Sequence, residues 1–586
     1  MAPHPALART PLFAGLGDED LEFLGGRLRP RDFDADEQLC RAGEPSDKIW
    51  LITGGLVHWL APTTEGAGDL ALRLRKGDVI GAQDAITGEP RSATVVAAIP
   101  TTTLELDGED LVELSRRYPQ ILINLVGTQR SRLFRASARS AEIERGEEVA
   151  LVAGPSLHGA VNRVVSAARV ASARPVTFLD RGLSFAGALT AAGDLAAKHP
   201  TVLIPGDLDP QNLDVLLDEV DRVVALVGSA EDVAQLAGVE AAAKGRRLEA
   251  VLVGDEAIAA ANATWPDNAK RAIVRSCARE ADFPFGDEDL AWLARHLTRT
   301  KLGVALGAGG AKGYAHVGAL QVLEENGYVI DYAGGSSIGG FVASHLALGN
   351  DAAAIDARFR AAFDPDTVAS LFATPFGGGS TGVDVLTRML REATEEKSFS
   401  DTVIPLIIMA VDLTERSPAE LREGPLWDAL LAALAVAGVF PPRERDGHRL
   451  VDGLALVPVP TASVVDDGAD LVVSVNLMGA ETLESWPEGV ELEEAAPRRG
   501  RRGMLDTLLE VMDLSQLDTS TRHAALADVV ITPKFGPADW RDFHLADLFV
   551  AAGRTAALEQ LPALQALSRP VDLDLARRGE ELGSPA

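Results

Sequence analysis

Residues 301–348 read KLGVALGAGGAKGYAHVGALQVLEENGYVIDYAGGSSIGGFVASHLAL, and this stretch decides the fold of the larger part of the chain. It holds two glycine-rich turns, each preceded by a strand-like run and followed by a helical pattern. The first run, Leu302 to Leu306, leads into Gly307-Ala308-Gly309-Gly310-Ala311-Lys312-Gly313, after which Val317, Leu320 and Leu323 recur at helical spacing. The second, Tyr328 to Ala333, leads into a turn from Gly334 to Gly340, with Phe341, Val342, Leu346 and Leu348 behind it. Two such units predict a parallel strand pair joined by a right-handed crossover, with both turns at one sheet edge.

The residues in these turns suit acyl transfer. Gly335-x-Ser337-x-Gly339 is the pattern of a nucleophile elbow, in which flanking glycines let the backbone turn sharply and expose the serine. The other turn offers backbone N–H groups that can converge on a developing oxyanion. A nucleotide loop is the competing reading. A Walker loop, however, requires Ser or Thr after its lysine, and Gly313 follows Lys312. The dinucleotide pattern counted from Gly307 puts its last glycine on Lys312. A third piece, Asp452-Gly453, follows a short strand from His448 to Val451 and can bring a carboxylate into the same cleft.

Gly-rich turn, GxSxG, the Pro441-Pro442 turn and Asp-Gly, in that order, resemble the patatin-like phospholipases. The resemblance spans roughly residues 300–480. It implies a Ser–Asp dyad working without histidine, with Ser337 as nucleophile and Asp452 as base. The N–H groups of Gly309, Gly310 and Ala311 would then form the oxyanion hole, and no metal or cofactor would be needed. Ala308, Lys312 and Leu454 depart from the family's usual Gly, Arg and small residue. A Ser-Asp-His arrangement in α/β-hydrolase order would instead draw its base from His523 or His544, neither of which lies at a strand end or glycine-rich turn. His316 reads as a packing or hydrogen-bonding residue.

Composition bounds the rest. A chain of 586 residues, 47% apolar and 24% charged, is globular and too long for one core. Its formal charge of −31 argues against nucleic acid and disfavours anionic membrane. Two cysteines, Cys40 and Cys277, form no disulfide framework. The N-terminus MAPHPALART lacks an apolar signal core, and no apolar run reaches membrane-spanning length. A cytoplasmic protein is expected, with peripheral membrane contact as an added candidate. Oligomeric state is open.

Three segments are expected. Residues 1–145 show short glycine-punctuated strands and terminal helices (Gly108 to Tyr118, Pro119 to Phe134), a small β-roll. Within it GAQDAITGEPRSATVV (81–96) resembles the phosphate cassette of cyclic nucleotide-binding domains. That resemblance implies Arg91 as phosphate partner within Arg91-Ser92-Ala93-Thr94, and Gly81 in its usual place, but Ala82 where Glu normally holds the ribose. Residues 146–285 alternate apolar runs (Glu148 to Ala153, Pro175 to Leu179, Thr201 to Ile204, Arg222 to Val227 and Leu248 to Val253) with helical patterns, an open parallel α/β connector. Residues 286–586 form the α/β hydrolase domain, with a polar insertion beyond Leu477 and a helix whose Met504, Leu505, Leu508, Leu509, Val511 and Met512 are assigned to core packing ahead of membrane contact. A further strand is expected at Ala527 to Thr532, and a helix pair broken at Pro562 over Ala546 to Leu567.

This order of parts resembles the family of neuropathy target esterase and its bacterial relatives. It implies hydrolysis of lysophospholipids or related monoacyl esters, with the N-terminal roll either a regulatory module binding a cyclic nucleotide or, with Ala82 in place of Glu, an empty or very weak site kept as a structural or partner-docking module. The competing class is a non-enzymatic effector that keeps the hydrolase fold for binding lipid or cyclic nucleotide.

Overall fold

A computed structural model describes residues 11–572 apart from 62–68, 122–146, 179–194, 208–219, 241–247, 266–272, 373–379, 480–503 and some stretches of one to three residues. The described residues form two compact units. One holds residues up to 169 and 174–293, the other 170–173 and 294–572. The expected helix from Pro119 to Phe134 and the insertion beyond residue 480 lie outside the described residues.

The first unit opens with eight strands: β1 (Arg29–Phe33), β2 (Gln38–Cys40), β3 (Lys48–Gly54), β4 (Leu56–Ala61), β5 (Asp69–Arg75), β6 (Val79–Ile80), β7 (Thr94–Ala97) and β8 (Thr101–Asp107). They pair antiparallel in two four-stranded sheets, ordered β1-β8-β3-β6 and β2-β7-β4-β5. A short helix, α1 (Ala82–Thr87), lies between β6 and β7. Leu104 and Leu106, on one face of β8, lie in an apolar core cluster.

The same unit also holds a six-stranded parallel sheet: β9 (Glu147–Ala153), β10 (Val176–Phe178), β11 (Thr201–Asp207), β12 (Arg222–Val227), β13 (Leu248–Val253) and β14 (Ile273–Cys277), ordered β10-β11-β9-β12-β13-β14. β12 is buried throughout and β9 nearly so, as expected for strands covered on both faces. β14 was not expected. It is an edge strand whose IVRSC sequence carries Arg275 and Ser276 and is mostly half-buried, so it lacks an apolar signature.

The second unit is a mixed sheet of β15 (Leu302–Leu306), β16 (Ile330–Ser336), β17 (Leu406–Asp412), β18 (Ser417–Leu421), β19 (Arg443–Arg445), β20 (His448–Asp452), β21 (Leu471–Val475) and β22 (Val529–Ile531). Its path is β19-β20-β17-β16-β15-β21-β22, with β18 paired to β17 off that path. β15 and β16 are parallel, as the crossover argument requires, and are joined by α2 (Tyr314–Glu325). At the other end, buried Arg295 makes a two-pronged ion pair with Asp331 at 2.7 and 2.9 Å, and Asp331 also accepts the Leu302 N–H. This ties the starts of the two strands together.

Three expectations change here. β16 runs on to Ser336 rather than ending at Ala333, so the turn is Ser337 alone before α3 (Ile338–Ala347). Gly334 pairs within the strand, opposite Ala305 and Ile407, and a Cβ there would meet Val464 Cγ2 at 2.5 Å. Val511, assigned to the core, is 58% exposed on α4 (Met504–Ala524), while the side chains at Met504, Leu505, Leu508, Leu509 and Met512 lie outside the described set. The expected break at Pro562 does not occur. α5 (Ala546–Leu567) carries it inside one helix, where the turn it disrupts includes exposed Leu558.

α2 and α5 pack backbone to backbone. A Cβ at Gly553 would lie 2.0 Å from the Ala315 carbonyl oxygen, and one at Gly318 2.0 Å from that of Val550. No side-chain motion relieves a clash with backbone. Gly553→Ala is therefore expected to force the helices apart at a cost of ~1–3 kcal/mol and lower the thermal midpoint. A variant that melts with the wild type would show that the two helices do not approach this closely.

Candidate active site

The site forms where two strands meet end to end. β17 pairs with β18 along one edge over Ile408–Asp412. Its other edge is shared, with β16 opposite residues 406–409 and β20 opposite residues 410–412. β16 runs parallel to β17 and β20 antiparallel, so their C-terminal ends converge at Ser336, opposite Met409, and Asp452, opposite Ala410. Ser337 and Asp452 thus leave adjacent register positions.

Ser337 sits at φ 54, ψ −126, a conformation an L-residue adopts at a cost of ~1–3 kcal/mol. Its neighbours enforce it. A Cβ at Gly335 would fall 2.2 Å from the Gly339 backbone, and one at Gly339 2.1 Å from the Leu306 carbonyl oxygen. The two glycines of GxSxG are therefore demanded by close approach of strand, turn and helix. Ser337 Oγ donates to Asp452 Oδ2 at 2.6 Å. Asp452 Oδ1 accepts the Leu454 N–H at 2.8 Å, and Gly453 follows because a Cβ there would touch the Met409 carbonyl and Ser336 Oγ, each at 2.7 Å.

Asp452 is 3% exposed. Burial pushes its carboxyl up to about 7, while the bonds from Ser337 and Leu454 pull the other way and limit the rise. The carboxylate's described partners are a hydroxyl and a backbone N–H. Neither His523 nor His544 is among them, so the serine proton faces the carboxylate directly. His316 lies fully buried in α2 with Nε2 2.8 Å from the Gly307 carbonyl. Burial lowers it to about 4, so the ring is neutral with Nε2 as donor, tying α2 to the start of the turn.

The glycine-rich turn is only partly available. Gly307 N–H donates to Val475, Ala308 N–H to Pro458, and Ala311 N–H to the Trp540 carbonyl at 2.6 Å. The expectation that Ala311 joins an oxyanion hole is therefore corrected, because its donor is already engaged by a distant backbone segment. The N–H groups of Gly309 and Gly310 meet no acceptor among the described residues. Gly310 has φ 58, and a Cβ there would lie 2.4 Å from the Trp540 carbonyl oxygen. Lys312 Nζ lies 5.4 Å over the Phe535 ring, and Gly313 packs against Ile338 and Phe359. Ala308 and Leu454 meet with Met478 in one small buried cluster, so two departures from the family pattern share a wall beside Asp452.

In the N-terminal roll, Gly81 takes φ 77 and a Cβ on it would strike Arg91 Nη1. Arg91 is 4% exposed, donates from Nη2 to the Lys48 carbonyl at 2.5 Å and lies 4.8 Å over the Trp50 ring. Ser92 donates from N and Oγ to Asp84 Oδ2, both at 3.3 Å. The Ala93 carbonyl accepts from Cys40 Sγ, and Thr94 Oγ1 accepts the Ala42 N–H. Ala82 packs in the apolar core, so a glutamate there would be buried. Asp84 escaped the sequence reading, and its only signal was an acidic residue inside an otherwise apolar half-turn.

Residues 304–465 match the family model of patatin-like phospholipases, and residues 30–118 that of the cyclic nucleotide-binding domain. An NTE-family protein of Mycobacterium tuberculosis is 25% identical, over 96% of this chain and 97% of its own. Patatin-like phospholipase domain-containing protein 6 of Homo sapiens is 22% identical, over 81% of this chain and 39% of its own length. A solved cyclic nucleotide-binding domain from Methylobacillus flagellatus aligns at 24% identity with a TM-score of 0.21, covering 23% of this chain and 82% of that one. The chain thus carries a patatin-like phospholipase domain behind an N-terminal cyclic nucleotide-binding domain, and along most of its length it is a homologue of the NTE-family proteins.

Proposed function

We propose that the protein is a serine hydrolase of monoacyl phospholipids, acting through a Ser337–Asp452 dyad in the last of three segments, 1–145, 146–285 and 286–586. Lipid ester hydrolysis is the activity class that the patatin-like domain implies. The observation that carries the finer reading is the 2.6 Å hydrogen bond from a strained serine to a buried carboxylate. Asp452 Oδ2 takes the Ser337 proton as Oγ attacks the ester carbonyl carbon. Charge on the carbonyl oxygen is met by the Gly309 and Gly310 N–H groups. Collapse breaks the C–O bond, and the leaving alcohol takes the proton back from Asp452. Water then attacks the acyl-enzyme and gives a proton to Asp452, which returns it to Ser337 Oγ as the acyl–Oγ bond breaks and the fatty acid leaves.

A carboxylate of ordinary acidity would be a poor base for a serine hydroxyl. Burial that lifts Asp452 to about 7 supports its role, since a base works best with a pKa near the operating pH. Single-chain lipids are favoured because they disperse as monomers, whereas a chain of charge −31 is repelled by anionic bilayers. Among the described residues no helix is long and apolar enough to cross a membrane.

The wild type is expected to hydrolyse dispersed lysophospholipids faster than diacyl phospholipids in vesicles. Ser337→Ala and Asp452→Ala should each lower kcat by ~10³-fold or more, the scale of losing a nucleophile or its base. Replacing His523 and His544 together should leave most activity. Turnover by Ser337→Ala at the wild-type rate, or collapse of activity in the histidine double variant, would overturn the dyad.

The pH dependence has a definite sign. Only ionised Asp452 can take the proton, so kcat/KM should rise with pH and level off above about 7. Stability runs the other way. A carboxyl with a folded pKa above its unfolded value favours folding most below the ordinary value of 3.8, and that contribution is lost as pH rises through about 7. Asp452→Asn should therefore raise the thermal midpoint more at pH 8 than at pH 5, read by calorimetry at both. An activity profile flat from pH 5 to 8 in the wild type would contradict the assignment of the base.

A further inference from the structure

The N-terminal roll contains a buried cation with spare donors. Arg91 is 4% exposed, and its Nε and Nη1 have no hydrogen-bond partner among the described residues. Such a guanidinium calls for an anion, because a desolvated charge with unmet N–H groups is costly. The only anion a cyclic nucleotide carries is its phosphodiester, so in a domain of this kind Arg91 is where that group would have to dock. The next residue supplies the natural second anchor, with the Ser92 N–H and hydroxyl side by side.

That second anchor is taken. Asp84, itself 8% exposed, accepts from both Ser92 donors through Oδ2. A second observation puts the two charges in one neighbourhood. The Cys40 thiol, pushed up to about 11 mainly by burial, feels Arg91 in one direction and Glu44 and Asp84 in the other. An incoming phosphate would have to break both Ser92 bonds and then lie beside a carboxylate of like charge in a site screened from water. Nothing at position 82 offsets that, since Ala82 has no acceptor and its methyl is in the core.

We propose that Asp84 blocks the anion site at Arg91 and Ser92 by taking both Ser92 donors, so that the roll rejects cyclic nucleotides while this carboxylate is present. It holds the 84–92 segment closed through Ser92 and puts a like charge where the phosphate would have to lie. The roll is then set without a small-molecule signal. Removing one side chain should convert it into a phosphodiester-binding site.

The test is calorimetric titration of the full-length protein with cyclic AMP and cyclic GMP. The wild type should show no saturable heat up to about 1 mM nucleotide, and Asp84→Ala should bind at least ~10-fold more tightly than that limit. Asp84→Asn keeps the shape and removes the charge, and it carries the test if the alanine variant has lost its thermal transition. Arg91→Lys in the Asp84→Ala background should weaken binding again, because the forked donor is gone. Saturable binding by the wild type with an affinity equal to that of Asp84→Ala would overturn the proposal. So would silence from folded Asp84→Ala and Asp84→Asn, since the block would then lie elsewhere.

Discussion

Desolvation of one carboxylate is the constraint on which the hydrolase unit depends. Asp452 is buried to 3% exposure, and among the described residues two hydrogen bonds hold its charge. In water that group would be a weak base, whereas at a dry strand end it can compete for a serine proton near neutral pH. The same placement costs folding free energy. The surrounding sheet bears that cost: β15 and β17 are buried throughout, and β16 is buried over its last four residues. Strain at Ser337 is held in the same way, by glycines whose neighbours leave no room for a side chain.

The meeting of β16 and β20 along one edge of β17 would let the proposed dyad work without a third residue. In a serine–histidine arrangement the imidazole spans the gap between hydroxyl and carboxylate. Here the strand ends bring the two side chains from adjacent register positions, and no gap is left to span. The wall beside them is apolar. Ala308, Leu454 and Met478 touch one another there, so two positions that carry larger side chains than the family pattern share one wall.

Much of this was legible in the sequence, for physical reasons that can be named. The elbow and the parallel pair were readable because glycine spacing records close backbone approach, and that approach is what the structure contains. Strands β12, β13 and β15 were readable as apolar runs bounded by turns. The end-to-end convergence at Asp452 was not, since it depends on β20 running antiparallel on an edge already begun by β16. Capture of the Ala311 N–H by Trp540 was hidden as well, because a backbone carbonyl more than two hundred residues away leaves no mark in composition. Pro562 misled because a helix end and a tolerated interior proline look alike in a single sequence.

Mapping the site of covalent modification tests the central claim most directly. The full-length protein would be treated with a fluorophosphonate, digested and sequenced by mass spectrometry, with residual esterase activity followed in parallel. The account predicts one adduct, on Ser337, formed in step with loss of activity and formed faster as Asp452 ionises. An adduct on another residue, or full labelling of Ser337 with activity intact, would contradict it.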